Sequence, residues 1–386
     1  MRDGFLLACM QCNRSPLNDF DTFSMVTYAG KLVLAPMVRS GELPTRLMAL
    51  RYGADLVWSP EIVDKKIIQC KRVENVKLAT TDFIDSNNKV VFRTHPASER
   101  GRLIFQIGSA NPELAVEAAK VVARDVDGID LNCGCPKNFS THSGMGAELL
   151  TNPDVLVLIL KSLVEKIGNV YRIPISVKIR LLDATDPEPS IKLIDRICKT
   201  GVANLTLHCR TKPMRNRQPP IRTFLPQIIE TVHSNNVSFI LNGAIRNRQE
   251  FYELQARYGK QIGAMIAESA EANPTVFLMS PKPWGLVVKE FIQIATDFDN
   301  HPSNTKYVLL NQVPGKSPFY QKFCQMKNNQ DLLSVAESIG DAGNKILTKY
   351  LQKDVLTEME PSEPPRKHTL EELSFPPKKA KTVAVE

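Results

Sequence analysis

From Lys31 onward, short runs of aliphatic and β-branched residues alternate with longer stretches in which apolar positions recur every three or four residues. That alternation predicts repeated strand–helix units on a parallel sheet. About eight strand-like runs can be read: Leu32–Ala35, Leu56–Ser59, Leu103–Ile107, Gly128–Leu131, Ile175–Ile179, Asn204–Leu207, Ser238–Leu241 and Gly263–Ile266. Between them Glu113–Ala123, Pro153–Lys166, Ile191–Thr200, Phe224–His233 and Gln249–Tyr258 predict helices. Eight strands with intervening helices predict an α/β fold, a closed (β/α)8 TIM barrel over residues 30–281. The competing doubly wound open sheet would carry G-x-G-x-x-G after its first strand, and no such fingerprint stands there. Val90-Val91-Phe92-Arg93, following Ser86-Asn87-Asn88, predicts a small hairpin inserted before the third barrel strand. The strand pattern stops at Pro281-Lys282-Pro283. Helical periodicity then runs from Trp284 to Leu351 and predicts a smaller all-helical domain over 282–353. Residues 1–29 read as a leader, and 354–386, rich in Pro, Glu and Lys, as a disordered basic tail.

At 386 residues and 43% hydrophobic content, the chain is long enough for a barrel of about 250 residues plus a second domain. A formal charge of +8 favours a polyanionic partner, nucleic acid first and an acidic membrane surface second. No run approaches the roughly 18 apolar residues that span a bilayer, and the first residues lack a basic region followed by a cleavage motif. A soluble monomer in the cytoplasm, the nucleus or both is the expectation. The eight cysteines are scattered, unlike a secreted disulfide framework, so reduced thiols are expected. Cys9-x-x-Cys12 has zinc-like spacing but no second pair to match it, and no metal site is predicted. Lys378-Lys379-Ala380-Lys381 reads either as a nuclear import signal or as a solvated tail.

Chemistry in a (β/α)8 barrel gathers at the C-terminal ends of the strands. There the chain places Pro36 and Met37 after strand one, Gln106 after three, Asn132 and Cys135 after four, and Lys178 and Arg180 after five. His208 and Arg210 follow strand six, Asn242 and Gly243 strand seven, and Ala267 and Glu268 strand eight. Taken singly, Met37 reads as packing, Gln106 as a cap, Lys178 as a rim charge and His208 as a satisfied buried imidazole. As a ring they are polar. Cys135 follows a glycine, precedes a proline, and has Lys137 and His142 nearby, which is the setting of a reagent more than of a buried structural thiol. Lys178, inside the apolar run Ile175-Ser176-Val177-Lys178-Ile179, must be buried or face a cavity, and a buried ammonium needs an electron-rich partner. A flavin N1/O2 edge, anionic on reduction, would supply one.

Leu34-Ala35-Pro36-Met37, Gln106-Ile107-Gly108, Asn132-Cys133-Gly134-Cys135-Pro136, Val177-Lys178-Ile179-Arg180, His208-Cys209-Arg210 and Asn242-Gly243 stand in the order seen in tRNA-dihydrouridine synthases. The chain resembles that family over about residues 30 to 350. Pro136-Lys137-Asn138-Phe139-Ser140-Thr141 is similar to the eukaryotic subgroup that modifies position 20 of tRNA. The resemblance implies FMN in the barrel mouth, reduced by NADPH, with hydride passing from N5 to C6 of a flipped uridine while Cys135 protonates C5. It implies Lys178 at the flavin N1/O2 edge, Gln106 at its pyrimidine edge, Met37 on its face and His208 against it. Asn132 would lie between flavin and uracil, and Arg180 and Arg210 would help to hold the RNA. The basic segment from Arg210 to Arg217, with Arg215 and Arg217 exposed to phosphates, would be an RNA grip. Lys289, Lys306, Lys316, Lys322 and Lys327 make the helical domain a second candidate surface.

Two departures stand out. Ala244 occupies a place where many relatives carry an acidic residue. Glu268 stands where the family carries arginine, so flavin phosphate must rely on backbone N–H groups and other cations, or Glu268 turns away; weaker FMN affinity is expected. The tail has neither the length nor the pattern of the double-stranded RNA-binding module of larger animal relatives. The enzymatic rival is a flavin-dependent reductase of a free pyrimidine or other small alkene. The non-enzymatic rival is an RNA-binding barrel without cofactor, against which Lys178, Cys135 and His208 all speak.

Overall fold

Along each strand the side chains alternate between two environments, and this alternation builds the barrel. The computed structural model describes residues 26–344. Its strands are β1 Leu32–Leu34, β2 Leu56–Trp58, β3 Leu103–Gly108, β4 Gly128–Cys133, β5 Ile175–Leu181, β6 Asn204–Thr211, β7 Ser238–Asn242 and β8 Gly263–Ile266. Every neighbouring pair is parallel, and β1 pairs with both β2 and β8, so the sheet closes.

Leu32, Leu34, Leu103, Phe105, Ile129, Leu131, Ile175, Val177, Leu205 and Leu207 face outward into one large core with the surrounding helices. The intervening positions Val33, Leu56, Ile104, Ile240 and Met265 form a separate cluster inside the barrel. The barrel helices Pro112–Val122, Pro153–Leu163, Glu188–Cys198, Leu225–Ser234 and Arg248–Tyr258 lie within a few residues of their predicted bounds. Asn111 and Asn247 accept from the first-turn amides of Leu114 at 2.8 Å and Glu250 at 2.9 Å, stabilising orphan donors at the helix starts.

The predicted hairpin is instead a three-stranded antiparallel sheet of Lys71–Asn75, Thr80–Ile84 and Val90–Thr94. Its first strand, Lys-Arg-Val-Glu-Asn, is almost wholly exposed and therefore carries no apolar alternation to read. The helix Leu43–Arg51 has no predicted counterpart either. It is buried from Leu43 through Leu50, because Leu43, Leu47 and Met48 pack on Val287, Phe291 and Val308 of the C-terminal helices. Arg46, on the same helix, turns instead toward the inserted sheet and forms an ion pair with Glu99 at 2.7 Å.

After Pro283 come the helices Trp284–Asp297, Pro302–Gln312, Pro318–Gln325 and Asn329–Glu337. They gather their own core around Trp284, Val288, Leu309, Phe323 and Leu332. No helix among the described residues is long and apolar enough to cross a membrane. The leader cysteines Cys9 and Cys12 and the tail with Lys378-Lys379-Ala380-Lys381 lie outside the described residues.

Candidate active site

Register carries the predicted residues into one mouth. Gln106 stands opposite Asp130, which stands opposite Ser176; one layer higher Asn132 pairs with Lys178, and His208 pairs with both Arg180 and Asn242. These positions share the inward parity of the strands.

The lower polar layer centres on Asp130. It is fully buried, accepting from Gln106 Nε2 at 2.7 Å and from Ser176 Oγ at 2.6 Å. Burial pushes its carboxyl up to about 6, with Gln106, Ser176 and Lys178 pulling it back. Because Asp130 holds the amide nitrogen of Gln106, the carbonyl oxygen of Gln106 is left as an acceptor. Lys178, above this layer, is half-buried. Burial, then the charge of Arg180, brings its ammonium down to about 8, against the attraction of Asp130.

The β4 end is shaped by Asn132, whose Oδ1 accepts from the backbone N–H of Gly134 at 2.8 Å and of Cys135 at 3.1 Å. The loop curls into an Asx turn, with the Asn132 amide nitrogen turned toward the Glu61 carboxyl group. Cys135 is half-buried in this turn. Burial first, then the charge of Glu61, raises its thiol, with Lys137 opposing.

His208 is held well below the usual imidazole range by burial and by Lys178, Arg180 and Arg210 around it. Its Nε2 lies 3.0 Å from Arg210 Nη1; a guanidinium only donates, so the ring is neutral with its proton on Nδ1. Gly243, at φ +117°, leaves room for that ring: a Cβ there would sit 3.2 Å from His208 Cδ2. Asn242 donates to Met265 O at 2.9 Å, tying β7 to β8.

Arg180 and Arg210 are placed differently from the expectation. Both are buried. Arg180 donates to Gly134 O at 2.6 Å and Thr211 O at 3.2 Å, and Arg210 to Gln218 O at 2.8 Å and Asn216 O at 3.0 Å. Irregular loops leave carbonyls without ladder partners, and an arginine fork satisfies several at once. The two residues thus shape the loops on which exposed Arg215 and Arg217 stand. Pro36 and Met37 are half-buried after β1. Glu268, just past Ala267, begins the short helix Glu268–Ala272 and accepts from Asn216 Nδ2, so its carboxylate is bound to the β6 loop. Lys306 donates to Cys324 O and Met326 O at 3.1 and 2.9 Å, whereas Lys289, Lys316, Lys322 and Lys327 are exposed.

Three residues were not read from the sequence. Asp130 and Ser176 sit within strands whose composition suggested only burial. Glu61 follows β2, the one strand end passed over in the ring. A cation was missed as well: Arg222 donates to Gly243 O at 3.0 Å, and its Nε is buried without a partner.

A family model described as dihydrouridine synthase (Dus) matches residues 33–357. The Saccharomyces cerevisiae protein named tRNA-dihydrouridine(20) synthase [NAD(P)+] is 55% identical over 334 residues, covering 83% of this chain and 86% of its own. The Schizosaccharomyces pombe protein of the same name is 47% identical over 335 residues, 86% of this chain and 67% of that one. A second S. cerevisiae protein, named tRNA-dihydrouridine(20a/20b) synthase [NAD(P)+], is 29% identical over 313 residues, with 80% and 78% covered. With a family match over most of its length, and strand-end residues in one mouth, the chain belongs to the dihydrouridine synthase family.

Proposed function

We propose that the protein reduces a uridine of tRNA, at position 20 of the D-loop, to 5,6-dihydrouridine, using FMN and NADPH. The tRNA, the position and the nicotinamide cofactor rest on the names of the two relatives at 55% and 47% identity, well above the 29% of the 20a/20b protein. The observation that carries the reading is a thiol and an inward-facing ammonium sharing one barrel mouth with a neutral histidine.

The mouth suits a flavin. Lys178, an ammonium in a poorly solvated place, gains most from an electron-rich N1/O2 edge. The Gln106 carbonyl is left for an N–H donor, and the Nδ1–H of His208 for an acceptor. Gly243, Ala244 and Ala267 offer backbone at the phosphate end, where Arg222 brings a positive charge and Glu268 is held by Asn216. FMN, when bound, supplies the hydride for C6.

Cys135 gives the proton to C5. An acid must be protonated before it acts, and burial together with Glu61 favours the S–H form at neutral pH. Asn132 holds the Gly134 and Cys135 amides of the thiol loop, and Arg180 and Arg210 keep that loop and the β6 loop in place. Arg215 and Arg217 meet phosphates of a tRNA whose target base must be unstacked, a cost of a few kcal/mol that such contacts offset.

The test is anaerobic spectroscopy. NADPH should bleach the flavin band and unmodified tRNA should restore it; Cys135→Ala should keep its flavin yet lose most of the restoration. Full tRNA-dependent reoxidation in Cys135→Ala would remove the assigned role. Reoxidation by a free pyrimidine as fast as by tRNA would make the protein a small-molecule reductase.

A further inference from the structure

Glu61 reaches the Cys135 thiol from the loop after β2, across β3 from the strand that carries the thiol. The two-residue strand Ile62–Val63 ties its segment to the upper end of β3, Ile62 opposite Ile107 and Val63 opposite Gly108. Gly108 makes the room: a Cβ there would stand 2.6 Å from Glu61 Oε1. Ser140 Oγ, fully buried, donates to that oxygen at 3.3 Å. The Cys135 thiol and the Asn132 side chain stand against the same carboxyl group, yet Oε2 is buried without a completed hydrogen bond. The loop is fixed from behind, since Ala147 N donates to Cys135 O at 2.9 Å.

A buried carboxylate with an unsatisfied oxygen is costly, and protonation or a nearby proton donor relieves the cost. The neighbouring thiol is such a donor. Resting on the reading of Cys135 as the acid, we propose that Glu61 is a positioning residue whose carboxylate, set against the Cys135 thiol, keeps that thiol protonated between turnovers. The thiol gives its proton to C5 and becomes a thiolate. The thiolate, disfavoured beside the Glu61 carboxylate, then takes a proton from water, whose O–H bond breaks as the S–H bond re-forms and whose hydroxide is left to solvent; no electrons change hands. Burial raises both groups. Facing the thiol are Glu61, Lys137 on its own loop, and Lys178 and Arg180 from β5; facing the carboxyl group are Cys135, Cys133 and Lys137. The cations favour thiolate, so Glu61 is the group that opposes them.

The experiment is the pH dependence of iodoacetamide alkylation at Cys135 in the flavin-bearing enzyme without tRNA, quantified on the modified peptide by mass spectrometry. Glu61→Gln should be alkylated about fivefold faster at pH 7, the effect of removing a unit charge at contact range, with Cys70 unchanged as the internal control. Glu61→Asp, which draws the charge back by one methylene, should fall between, and carries the test if Glu61→Gln loses its fold. The kcat profile of Glu61→Gln should move to lower pH with KM for tRNA unchanged. Alkylation profiles that superimpose on the wild type in the folded variants would overturn the proposal. Turnover surviving in Cys135→Ala alongside a shifted Glu61→Gln alkylation profile would remove the acid assignment, leaving only the electrostatic coupling.

Discussion

Replacing Lys178 by methionine separates what the side chain costs the fold from what it does for the site, because methionine keeps most of the length and drops the charge. The ammonium lies at about 8 against an ordinary 10.5. At 1.36 kcal/mol per pKa unit, that difference corresponds to ~3 kcal/mol carried by the folded protein whenever the group is charged. The side chain keeps some contact with water in the mouth, which reduces the figure to about 1–3 kcal/mol. Flavin-free Lys178→Met should therefore be more stable than wild type at pH 7 by about 1–3 kcal/mol, or a few degrees in Tm for a chain of this size. The pH dependence follows from the same values. The folded pKa lies below the unfolded one, so the folded protein binds fewer protons between pH 8 and 10.5 and wild-type stability rises across that window. The advantage of methionine should be complete below about pH 8 and gone above 10.5. FMN affinity should move the other way, falling about tenfold or more through loss of a hydrogen bond from a charged donor. Denaturant melts at pH 7 and pH 10, with a flavin titration, measure all three. Equal stability at pH 7 would refute the cost assigned to the ammonium, and unchanged FMN affinity would refute its place against the flavin.

Glu99→Ala leaves the Arg46 guanidinium buried without its carboxylate, donating only to Gly41 O and Arg93 O. Denaturant melts should show a loss of about 3–5 kcal/mol. Gly243→Ala forces a side chain into a φ of +117° and against His208; it should lower stability by about 1 kcal/mol or more and reduce the flavin retained on purification. Arg215→Ala and Arg217→Ala should each weaken tRNA binding and lower the slope of log K against log salt by about 1, with flavin content unchanged.

The barrel was legible because its outer strand faces are apolar and its helices amphipathic, a pattern that survives in one dimension. Elements buried on every side, or on none, left no such trace: Leu43–Arg51 is enclosed between two packed units, and Lys71–Asn75 lies open to solvent. In the site, Cys135, Lys178 and His208 could be found because polar groups at apolar strand ends violate the local pattern. Their states could not. The neutrality of His208 depends on its burial and then on cations from β5 and β6, and the amide orientation of Gln106 on a carboxylate one strand away.

The sequence by itself determined the strand order, the parity that turns Lys178 inward, and the loop that carries Cys135, since each follows from backbone periodicity and nearest neighbours. Closure of the barrel decided the rest. It buried Arg180 and Arg210 as loop clamps, set Glu268 against Asn216, and brought Glu61 to Cys135 across 74 positions of chain. Burial and charge depend on which groups meet across strands, and that is fixed only when the sheet closes.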